Sequence, residues 1–171
     1  GGADPSWAAS LEGKAAGLLS RLPPEVRERV EARLLGARRE ARLREVVEAA
    51  AGGEGLGPDV DLDTEADLAG AVRRSGRVGS RLVDAPEEMK VEAETRLVER
   101  LEADRLGRWV EKLRGVASPV LREPGGSLLD GQEAQRLLAP LPAGLRAKVE
   151  EHAGGVLQRE LVQGLVARAK R

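Results

Sequence analysis

The residues of this chain that could do chemistry are few and scattered. His152 is its single histidine, set in "KVEEHAGG". A catalytic base needs a nucleophile and an orienting acid, and no Ser or Thr lies near it in sequence. A carboxylate-bridged metal site on a bundle helix would use Glu-x-x-His, but position 149 is Val. His152 therefore reads as a partly exposed structural residue.

"DVDLDTEAD" (59–67) alternates acids in the manner of a calcium loop. Aligned from Asp59, the sixth position, where Gly makes the sharp turn, is Thr64. The twelfth, where Glu is bidentate, is Gly70. Both failures fall at geometrically demanding places, and the segment reads instead as an acidic helix start. "GGEGLG" (52–57) has the glycines of a phosphate loop without the Lys and Ser/Thr that follow one, so it reads as a linker. No cofactor and no metal is expected, and no catalytic residue is assigned.

"ARREARLRE" (37–45) is the strongest basic run. Arg38, Arg39, Arg42 and Arg44 could grip phosphates. Glu40 and Glu45 interleave with them at spacings that give intrahelical ion pairs, and no aromatic is near to stack a base. Arg38, Arg39 and Arg42 are accordingly candidate partner-binding residues toward another protein, with nucleic acid the lesser alternative. Trp7, near the start, is a candidate interaction anchor. The other tryptophan, Trp109, is expected to pack in the core.

Composition sets the wider frame. The 171 residues lack Cys, Phe and Tyr, contain one Met and two Trp, and carry a net charge of −1 with 33% charged residues. Disulfides and thiolate metal sites are excluded. A balanced charge argues against a dedicated nucleic-acid or anionic-membrane binder. No apolar run approaches the roughly 18 residues of a membrane span, and no basic-then-apolar leader opens the sequence. The expectation is a soluble protein, cytoplasmic by default. The missing residue types have mostly AT-rich codons, which points to a GC-rich coding sequence. The core must then be built from Leu, Val and Ala, residues suited to helix packing.

The elements that would position these residues announce themselves three times. "LPPEVRERV" (22–30), "APEEMKVEA" (85–93) and "LPAGLRAKV" (141–149) each open a helix with proline. Pro24, Pro86 and Pro142 fit a first turn where an N–H is not needed, and Glu25, Glu87 and Glu88 face the positive helix end. Along each arm the apolar face changes sides. From Val26 it runs through Val30 and Leu34, then Leu43, Val46, Val47 and Ala50. From Met89 it runs through Ala93 and Leu97, then Leu106, Trp109, Val110 and Leu113. From Leu145 it runs through Val149 and Ala153, then Val162, Leu165, Val166 and Ala169.

A shorter helical segment precedes each long arm. In the first, Trp7, Leu11, Ala15, Leu18 and Leu22 share a side. In the second, Thr64 and Asp67 form a capping-box pattern and Gly76 ends the helix left-handed. In the third, Leu128, Leu129, Leu137, Leu138 and Leu141 are apolar.

The fold expected is all-α: three helical-hairpin repeats, about six helices, short arm then long arm, in a helical bundle or short α-superhelix. The repeats span approximately 6–51, 62–117 and 127–170, with linkers 52–61 and 118–126, in one domain over 1–171. Repeat lengths near 60 do not match tetratricopeptide, HEAT or armadillo units. In this alignment Arg38 falls where the later arms have Leu101 and Leu157, and Arg42 where they have Arg105 and Leu161. A polar outer face of that kind caps a stack, so Arg38 and Arg42 are expected to face water or a partner. The function expected is non-enzymatic protein–protein interaction, as an adaptor, regulatory or scaffolding module. The alternatives are nucleic-acid binding through the Arg38–Arg44 face, or lipid-surface binding by amphipathic helices.

Overall fold

Proline punctuates the chain as the sequence requires. In the computed structural model, which describes residues 14–52, 56–117 and 126–170, seven helices and no strand are found among the described residues. They are α1 (Lys14–Leu19), α2 (Pro24–Ala51), α3 (Leu68–Ser75), α4 (Arg77–Arg81), α5 (Glu87–Arg114), α6 (Gln132–Leu138) and α7 (Ala143–Ala169). Short arms do precede long ones three times, and the long arms hold 28, 28 and 27 residues. Pro23 and Pro142 stand just before α2 and α7 with extended ψ of 146° and 143°, as prolines entering a helix do. The carbonyl of Pro86 accepts hydrogen bonds from the N–H groups of Met89 and Lys90.

The chain divides into two compact units. Of the described residues, the first comprises 14–52 and 69–98, the second 56–68, 99–117 and 126–170. In the first unit α2 packs with α4 and with the opening half of α5. The α2 row Leu43, Val46, Val47 and Ala50 is buried, as are Ala71, Val72, Val78, Leu82, Met89, Ala93 and Leu97. Arg27 ties α1 to the start of α2, its Nε and Nη2 donating to the carbonyls of Leu19 and Ser20 at 3.0 and 2.9 Å. In the second unit the closing half of α5 packs with α7. Its core joins Trp109, Val110 and Leu113 to Leu128, Leu129, Ala134, Leu138 and Leu141, and to the α7 row Leu145, Val149, Ala153 and Leu157.

The apparent change of face in α5 is a steady drift. Met89, Ala93, Leu97, Leu101, Arg105, Trp109 and Leu113 are all buried and spaced by four. Each such step advances about 40° around the helix, so the row turns about 240° from end to end. Its first three members serve the first unit and its last four the second.

The three arms do not share this burial. Val26 is 43% exposed, whereas its counterparts Met89 and Leu145 are 2% and 5% exposed. Only the second half of α2 has a buried row. In α7 only the first half does, and Val162, Leu165 and Val166 are exposed. The row needs a neighbour to cover it, and among the described residues α2 and α7 have one along half their length.

The short arms depart further from expectation. Leu18 is 65% exposed, whereas its neighbour Leu19 is buried. Leu137 of α6 is also exposed. Leu128 and Leu129 are buried but precede α6, in a turn where Ser127 Oγ accepts the Leu129 N–H. Gly76 is left-handed, φ 64°, but the chain does not leave helix there. It resumes at once as α4, whose Val78 is buried, as is Leu82 just past its end. The second short arm is thus two helices with a glycine hinge point between them. Trp7 lies outside the described residues.

Candidate functional site

One of the sequence-predicted site residues, Arg42, lines a groove of about 370 Å³ in the first unit. Arg42 of α2 forms one side. Arg81, at the end of α4, and the turn that follows it form the other, with Met89 of α5 among the lining residues. The turn is short because Pro86 follows it and favours extended geometry in the residue before it. The Ala85 N–H closes it on the Leu82 carbonyl at 3.1 Å. Leu82 is buried, which leaves Val83, 69% exposed, at the lip. Exposed Val83 beside buried Leu82 and Met89 makes an apolar spot bordered by charge of both signs. Arg42 and Asp84 also line the groove, while Arg81 Nη1 donates back to the Arg77 carbonyl at 3.2 Å. These are the ingredients of a peptide-binding surface.

Arg42 is held in place. Its Nη2 donates to the Arg81 carbonyl at 3.2 Å and its Nη1 to Glu45 at 3.1 Å. The first bond satisfies a carbonyl at the end of α4, where helices leave acceptors without intrahelical partners. Arg39 is paired with Glu92 of α5 at 2.5 Å. Beside it Arg96 meets both oxygens of Glu40, at 2.6 and 2.9 Å, and also Glu92 at 2.8 Å. The hydrogen bond from Arg96, with its charge, holds the Glu40 carboxyl below the usual carboxylate range despite partial desolvation. Arg38 is half-buried, not turned wholly outward as the repeat alignment implied. The basic run is thus a mixed-charge seam between α2 and α5, with Arg42 its member at the groove.

A second cluster, which the sequence did not signal as a site, lies in the second unit. The acids of 59–67 do not enter a helix. α3 starts at Leu68, and Thr64 donates its N–H to the Asp61 carbonyl. Asp61 Oδ1 accepts the Asp63 N–H at 3.0 Å, and Glu65 Oε1 the Asp67 N–H at 2.8 Å. Asp63 is gripped by Arg108 and Lys112, each at 2.7 Å. Burial pushes its carboxyl up, but the hydrogen bonds from Lys112 and Arg108 outweigh that and hold it below the usual range. The Trp109 indole N–H donates to the Asp63 carbonyl at 3.0 Å, and Lys112 Nζ stands 4.7 Å from the Trp109 ring centroid.

Arg105 completes this cluster. It is 5% exposed, donates to the Glu65 carbonyl at 2.9 Å and lies 3.5 Å from Glu102. Its buried Nε has no hydrogen-bond partner among the described residues. The signal was present in sequence: an Arg in the four-spaced apolar row between Leu101 and Trp109. Lys148 in turn pairs with Glu102 at 2.7 Å and, through that hydrogen bond, keeps Glu102 low against the opposing effect of burial. The Asp63, Trp109 and Arg105 contacts fasten loop 61–67 to α5, and apart from Arg105 Nε their charged groups find partners within the cluster, which suits a structural role.

His152 is exposed on α7. Among the described residues no three His, Asp or Glu side chains come together as metal ligands do. No helix among them is long and apolar enough to cross a membrane. Comparison of the chain with protein-family models, with curated proteins and with solved structures finds no match.

Proposed function

We propose that this chain is a non-enzymatic protein–protein interaction module, one domain of three helical hairpins, that holds a partner in the groove between Arg42, Arg81 and Val83. The observation that carries the reading is Val83, a 69% exposed aliphatic residue beside buried Leu82 and Met89, with Arg42, Arg81 and Asp84 lining the same groove. A partner segment that suits it offers an apolar side chain next to a carboxylate. The apolar group would cover Val83, and the carboxylate would meet the outward edge of Arg42 or Arg81.

Nucleic-acid binding through the Arg38–Arg44 face is the weaker reading. Arg39 already has a carboxylate partner in Glu92, and Glu40, Glu45 and Glu92 spread negative charge along the same seam, which repels an extended phosphate backbone more than a single carboxylate. A phosphate backbone would have to displace that pair.

The test is affinity capture from the native organism with the wild-type chain and with Val83→Asp and Arg42→Glu. A partner retained by the wild type and lost by both variants, each folded by circular dichroism, supports the proposal. A partner set unchanged by both variants refutes it.

A further inference from the structure

The groove leaves the end of α7 unexplained. The buried row of this helix stops at Leu157, and every residue from Val162 to Lys170 is exposed. Arg114 reaches Glu160 with both a 2.7 Å and a 3.2 Å contact. Beyond it the last turns have no tertiary cover among the described residues. A helix gains most of its stability from packing an amphipathic face, and this segment has such a face with nothing described against it.

The face is specific in its chemistry. With Val162 as centre and about 100° per residue, Leu165, Val166 and Ala169 fall within about 60° of it. Arg159 and Lys170 border one side of this stripe, and Arg168 flanks the other. From residue 155 to residue 170 the one acid is Glu160. It projects to the opposite side of the helix, toward Arg114. A second copy of the chain suits this face poorly. Three half-exposed side chains offer far less than the roughly 800 Å² per partner of a stable interface, and the basic borders would oppose one another. An apolar stripe edged by cations and free of carboxylates matches instead the boundary between acyl chains and anionic headgroups, where long basic side chains reach back to the charged layer.

We infer that the exposed end of α7 docks on an anionic lipid surface, Val162, Leu165 and Val166 entering the interface and Arg159, Arg168 and Lys170 meeting the headgroups. The site is independent of the groove in the first unit.

The experiment is flotation of the full chain with vesicles of phosphatidylcholine alone and of phosphatidylcholine with 30% phosphatidylserine. The chain should float with the anionic vesicles only, and less as salt rises. Replacing Arg159, Arg168 and Lys170 together by Gln should weaken partitioning on the order of a hundredfold, at about fivefold per basic residue. Leu165→Asp with Val166→Asp should abolish it with unchanged circular dichroism, whereas Val83→Asp should float like the wild type. Because the chain has no Cys, Val166→Cys also takes a single environment-sensitive fluorophore. Its emission should shift to the blue with anionic vesicles, and a label at Thr95→Cys should not respond. Equal flotation with neutral vesicles, flotation that survives either set of substitutions, or self-association through these residues without lipid binding would each overturn the inference.

Discussion

The indole N–H of Trp109 donates to the main-chain carbonyl of Asp63 at 3.0 Å, while Lys112 joins the two residues again through the ring face and the carboxylate. Forty-six residues separate the partners, so loop 61–67 is held by contacts with α5 in addition to its own turns. The indole bond is neutral and the ring is 5% exposed. Trp109→Phe, which keeps an aromatic side chain but loses the donor and part of the buried volume, should cost at least about 1 kcal/mol in a denaturant titration. A loss indistinguishable from zero would mean that the loop is fastened elsewhere.

Asp63 also makes an acid-sensitive contribution. Its folded pKa is depressed, so its stabilisation is complete above the unfolded carboxylate value and fades as pH falls through the folded one. Asp63→Asn should therefore be less stable than the wild type at neutral pH, by roughly 0.5–1 kcal/mol for so accessible a pair of cations. The gap should close below about pH 4. Paired urea melts at pH 7 and pH 3 measure it, and a gap that widens in acid would contradict the assignment.

Arg105 separates a structural role from a functional one. Its guanidinium is buried with an unpartnered Nε, and buried ionic groups are often replaceable by apolar ones of similar length. Arg105→Met should leave stability within about 1 kcal/mol of the wild type or raise it, and Arg105→Ala should lower it by about 3 kcal/mol. Thermal melts of the two variants decide; equal losses would show that the charge itself is needed.

The rows of the long helices give a packing test. Leu97 and Val149 are fully buried and Val166 is 47% exposed. Leu97→Ala should destabilise by about 2–5 kcal/mol, whereas Val166→Ala should change stability by less than about 0.5 kcal/mol. Chemical denaturation of each variant checks the contrast. Comparable losses would place the end of α7 inside a core.

These positions also show what the sequence could reveal. Pro24, Pro86 and Pro142 mark the starts of the three long helices because their effect is local and steric. The order of short and long arms was legible for the same reason. Which half of each arm is buried was not, because Val26 and Met89 carry the same local pattern and differ in whether a neighbour covers them. α4 was missed because Gly76 is a good stop signal. Val78 and Leu82, four apart just beyond it, were the available hint. Of the candidate residues, Arg42 stands at the groove, Arg39 is tied into an ion pair, and Arg38 is half-buried. Val83 was not singled out, since its exposure follows from the tightness of a turn and not from any periodicity.

The groove is tested most directly by photo-crosslinking in the native organism, with a photoreactive residue at Val83 and, separately, at exposed Thr95. The account predicts one reproducible protein adduct from position 83, absent at position 95 and lost when Arg42→Glu is added. Identical adducts from both positions, or none from position 83 in the folded chain, would contradict it.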